Sequence, residues 1–127
     1  MKTIYTALFV SAVALLAVGQ SNAAPTAIKR VCGEAPAAPA VIEGKSATEQ
    51  AMRQTAVAVR GYADKAVNYL SCVDNADIST AYLSQPAYRA AIAAHRDQVV
   101  DRLEMTVGSF NSELRAFKDQ QSQVASK

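Results

Sequence analysis

Past residue 45, apolar residues return every three or four positions in two blocks, the spacing that places them on one side of an α-helix. The first block carries Met52, Ala56, Val59, Ala63, Ala66, Tyr69 and Val73. The second carries Tyr88, Ile92, His95, Val99, Leu103, Thr106, Phe110, Leu114 and Phe117. The pattern therefore predicts two amphipathic helices, at about 46–73 and 85–118. Ser46 followed by Glu49 reads as a capping box at the first helix start, and Ser84 before Pro86 reads as a cap for the second. Between them "DNADIST" breaks the period with turn-forming Asp and Asn. A short connection between two such helices predicts an antiparallel hairpin. The polar tail, 122–127, is expected to fray.

Residues 24–45 show neither a helical nor a strand period. Prolines at 25, 36 and 39 among alanines predict an extended arm. The first 23 residues differ again: Lys2 precedes the apolar run "TIYTALFVSAVALLAVG", and "SNA" offers small residues for a cut after Ala23. That is the pattern of a cleaved export signal. At about 15 residues the run falls short of the ~20 that a spanning helix needs, which argues against a membrane anchor. The expected mature chain is periplasmic or secreted, with no membrane span.

Composition changes this picture at two points. If Lys2 leaves with the signal, twelve basic residues face eleven acidic ones, so no charge excess points to nucleic acid. The two cysteines, Cys32 and Cys72, both survive that cut, and an even number of thiols in an exported chain predicts a disulfide between them. Such a bond would tie the arm to the far end of the first helix. About thirteen extended residues at ~3.1 Å each match a helix of about 38 Å, so the arm can run back along it. The fold expected is all-α: a two-helix hairpin with an extended Pro/Ala-rich arm held by a disulfide.

Candidate chemistry is sparse. His95 is the sole histidine and stands on an apolar stripe, where packing is the ordinary role and a haem or metal ligand the sharper one. Met52, the other conceivable haem ligand, lies about 20 Å away along the hairpin axis. Asp97, Asp101 and Glu104 share one helical face but lack a second element to complete a cation site, so they read as a solvated face. With both thiols expected in a disulfide and no glycine-rich loop, nothing assembles a nucleophile, base and oxyanion site; neither an enzyme nor a resident cofactor is expected. Tyr62, Tyr69, Tyr82 and Tyr88 are expected to pack near the turn with wet hydroxyls. The most informative stretch is "FNSELRAFK". It places Phe110, Leu114 and Phe117 on one face with Arg115 and Lys118 beside it, a candidate partner-binding surface if the second helix outruns the first.

Taken together, "CGEAPAAPAVIEGKSATEQAM", "VRGYADKAVNYLSC" and "FNSELRAFK" resemble a family of small exported helical proteins of proteobacteria, marked by a Cys/Pro-rich arm, a Tyr-x-x-Cys helix end and an FNxxLRxFK-like terminal helix. The resemblance implies export, a helical hairpin and paired cysteines, and it implies no activity. The function expected is binding or scaffolding in the envelope, with another copy of the chain or another envelope protein as partner. A small periplasmic chaperone is the alternative within binding, and a haem or metal carrier using His95 the alternative from another class.

Overall fold

The computed structural model describes residues 24–126; the expected signal at 1–23 lies outside them. The described residues are helical, with no strand among them. Helix α1 spans Thr26–Cys32, a 3₁₀ turn spans Gly44–Ser46, and α2 spans Glu49–Asn75. A short α3, Thr80–Leu83, leads into α4, Pro86–Ala125. No helix among the described residues is long and apolar enough to cross a membrane.

Helices α2 and α4 contact each other near both ends of α2. Asp74 binds Arg96 at 2.7 Å, and Tyr69 meets His95 at 2.8 Å. At the opposite end Ala47 and Glu49 share a groove with Phe117 and Gln121. The buried face of α2 is Met52, Thr55, Val59, Tyr62, Ala66, Tyr69 and Val73. Thr55 and Tyr62 thus take places expected for Ala56 and Ala63, one residue around the helix. The Thr55 hydroxyl is satisfied by donating to the Ala51 carbonyl at 3.0 Å, so it tolerates burial. On α4 the buried residues are His95, Val99, Thr106 and Phe117, all on the expected stripe.

The segment expected to be wholly extended begins with a helix. In α1, Pro25 precedes the first turn and Gly33 ends the last with φ 77°, its N–H donating to the Lys29 carbonyl at 3.0 Å. Seven residues are too few to hold a helix in isolation. What holds this one is Ile28, fully enclosed at 0% exposure among Tyr69, Val73, Ile78 and Val99. The Cys32–Cys72 disulfide closes beside that cluster, with Cα atoms 5.8 Å apart.

Between Gly33 and Glu43 the chain has no regular secondary structure, and it contacts both long helices and not the first alone. Ala35 and Pro36 cover a small cavity of about 20 Å³ bounded by Tyr62 of α2 and by His95, Gln98, Val99 and Arg102 of α4. The arm then reaches α4 at Gly44, whose N–H donates to a Glu113 carboxylate oxygen at 2.7 Å. A Cβ at Gly44 would overlap the Glu113 carbonyl oxygen and lie 3.0 Å from the Phe117 nitrogen, so only glycine lets the two backbones meet here. At Gly61 and Gly108, inside the long helices, an added Cβ would meet nothing within 4 Å.

Helix ends also move from their expected places. The cap of α2 is Thr48, whose hydroxyl accepts from the Ala51 N–H at 3.2 Å. Ser46 is drawn instead into the 3₁₀ turn that seats Gly44, where its hydroxyl bonds Glu43. Gln85, not Ser84, precedes α4, because Ser84 closes α3 and donates to the Ala81 carbonyl at 2.9 Å. Most of "QQSQVA" favours helix and no proline or glycine follows Lys118, so α4 continues to Ala125 through the stretch expected to fray.

Candidate functional site

The C-terminal third of α4 brings the candidate partner-binding residues onto one stretch of helix, and the arm covers part of them. Phe117 is 8% exposed beneath the Gly44 turn, and Phe110 and Leu114 are half-buried. Arg115 and Lys118 point to solvent. The Glu113 carboxylate on the same stretch is engaged by the Gly44 N–H. The aromatic face is thus in large part internal, closed by the chain's own N-terminal segment.

Two open grooves remain around this end. One, of about 510 Å³, is walled by Ala47, Phe117, Val124 and Ala125 with Gln120 and Gln121 at its rim. The other, of about 690 Å³, is lined by Lys45, Arg115, Asp119 and Gln123 and shares Gln120 with the first. Helix α4, 40 residues against 27 for α2, ends beside the start of α2 in the first groove, where Glu49 lines it together with Phe117, Val124 and Ala125. Val124 in that groove is 71% exposed. Sequence reading missed Val124 because it lay in a stretch assigned to a frayed tail. It missed the Gly44–Glu113 contact because a lone glycine before a helix reads as an ordinary turn.

His95 sits elsewhere, at mid-molecule, 5% exposed. Its Nε2 shares a hydrogen bond with the Tyr69 hydroxyl at 2.8 Å, and the rings meet edge to face at 5.9 Å. Its Nδ1 is enclosed without a hydrogen-bond partner. Burial lowers the His95 pKa below its ordinary value, and burial together with the Glu34 charge raises that of Tyr69. Both shifts favour the neutral pair. One ring nitrogen is therefore engaged and the other walled in, so a haem or metal ion could reach this histidine only by displacing Tyr69 or opening the core. No group of three or more His, Cys, Asp or Glu that could hold a metal occurs among the described residues. Asp97, Asp101 and Glu104 are exposed along α4.

The tyrosines divide. Tyr62 and Tyr69 are buried, whereas Tyr82 is exposed and stacks at 5.3 Å on Tyr88. The Tyr88 hydroxyl accepts from the Ala27 N–H at 3.2 Å and so ties α1 to the start of α4. The expectation of wet hydroxyls fails for Tyr69 and Tyr88, whose oxygens join elements together.

No protein-family model, no curated protein and no solved structure matches this chain. The likeness carried by "FNSELRAFK" and its companion stretches rests on those residues.

Proposed function

We propose that this is an exported envelope protein that works by binding or scaffolding, not catalysis, as an antiparallel helical hairpin whose free α4 end docks a partner. The observation that carries the reading is the open groove at the end of α4, walled by Ala47, Phe117, Val124 and Ala125 with Glu49, Gln120 and Gln121, and Val124 in it is largely exposed. Lys45 and Arg115, which line the second groove at this end, supply positive charge that suits an acidic surface on the partner. Against catalysis stand the two groups best suited to it: both thiols are joined, and His95 is enclosed with Tyr69. The signal-like start and the disulfide together support export, since such bonds persist in oxidising compartments.

A photo-crosslinker placed at Val124 of the chain in its own envelope tests this. The expected result is a discrete adduct of one or two masses that a probe at exposed Asp101, on the far side, does not give. No adduct from position 124 would overturn the docking reading. Mature protein found in the cytoplasm with residues 1–23 attached would overturn export. The same groove would serve a chaperone, in which case adducts would form with many unfolded clients instead of a fixed partner.

A further inference from the structure

A second, independent surface lies on the side of α2 turned away from its core stripe. There Arg53, Val57, Arg60, Asp64, Val67 and Ser71 recur at spacings of four and three, and all six are exposed. Spacing of this kind forms a straight seam suited to a partner helix. Val57 at 73% and Val67 at 56% are the large apolar residues that α2 leaves in water. Gly61 stands between them, and a Cβ there would touch nothing in the chain. A glycine that weakens the middle of a helix thus has no packing reason within its own molecule.

From Val57 to Val67 the seam is symmetric about residue 62 in both position and charge. Equidistant from that point lie Val57 and Val67, then Arg60 and Asp64. Neither Arg60 nor Asp64 has an ion pair among the described residues, and arginine four positions before an acid is the poorer order for pairing within one helix. If two such helices lie antiparallel, Val57 of each faces Val67 of the other, and Arg60 of each faces Asp64 of the other. The two central ion pairs would then be flanked by valine on both sides, with the shallow groove of about 400 Å³ at Ala56, Val57, Arg60, Gly61 and Asp64 admitting the opposing backbone.

We infer that the outer face of α2 binds the same face of a second copy of this chain, antiparallel about a two-fold axis level with residue 62. A seam whose charges match only when inverted selects its own copy in one orientation.

Sedimentation of the disulfide-closed protein tests it. The wild type is expected to dimerise reversibly with concentration. Arg60→Asp and Asp64→Arg, each alone, put like charges across the axis and are expected to weaken the dimer on the order of a hundredfold, with helical circular dichroism unchanged. Mixing the two variants in equal amounts is expected to restore association, since every charge then faces its opposite. A monomeric wild type at millimolar concentration overturns the inference, as does a dimer that both single variants leave intact or a mixture that does not recover. A dimer lost on Val124→Lys but not on Arg60→Asp would also overturn it, and would place self-association in the α4 groove of the proposed function.

Discussion

An added methyl at Gly44 would have to displace the Glu113 carbonyl or lift the arm off α4. Gly44→Ala is therefore expected to lose about 1–3 kcal/mol, the usual cost of overpacking, in urea denaturation. Gly108 is the internal control. Its missing Cβ would enter open space on a helix, so Gly108→Ala is expected to stabilise by about 1 kcal/mol in the same assay. His95 makes a prediction about pH. Burial lowers its folded-state pKa below the ordinary 6.5, so the unfolded chain takes up the proton first as pH falls. Its contribution to stability is thus full above about pH 6.5 and declines as the pH falls from there toward the lowered value. Asp74 is shifted down by its hydrogen bond to Arg96, and that contribution is lost only in the acid range below the ordinary carboxylate value, so the two windows separate. A melting temperature that falls between pH 7.5 and 5, with a flatter profile in His95→Gln, is the expected outcome. Parallel profiles for the two proteins would assign the slope to other groups.

At the scale of elements, the helix starts divide their capping differently from the sequence expectation, and the difference is measurable. Thr48 satisfies the Ala51 N–H, while Ser46 faces Glu43 in the preceding turn. Thr48→Ala is expected to cost about 1 kcal/mol and Ser46→Ala much less. Equal losses would return the cap to Ser46. The short α1 depends on what surrounds it, because seven residues cannot offset the cost of helix nucleation. Reduction of the Cys32–Cys72 bond releases a closed loop with sequence separation 40, a loss on the order of 4 kcal/mol in the loop-entropy account. For a domain near one hundred residues that corresponds to a fall in melting temperature of about 15–30 °C. Loss of the α1 amide protection before global unfolding, seen by hydrogen exchange in the reduced protein, would show that the bond acts chiefly on this element.

For the whole molecule, the arm supplies the third layer that two long helices lack. It is attached at Ile28, at the disulfide and at Gly44, and between these points Ala35 and Pro36 cover the seam at His95 and Tyr62. The two long helices, their apolar stripes and the cysteine pairing were legible in the sequence, because helical periodicity and thiol count are properties of the chain read in order. The stripe of α4 from Tyr88 to Phe117 matches its inward side, and only neighbouring positions on α2 changed places. What the sequence could not supply are the features that depend on segments far apart in number. Ile28 makes a helix of a stretch that has no period of its own, because the cluster of Tyr69, Val73, Ile78 and Val99 encloses it. Gly44 is singular because Glu113 and Phe117 lie under it, 69 residues along the chain in the case of the hydrogen bond. The aromatic end is partly closed for the same reason, and the exposed surface moves outward to Val124. Local pattern determined the two long helices and most of the residues that face inward on them; the short helix α1, the docking of the arm, the seat of His95 and the surface left open were decided only when distant backbone and side chains met.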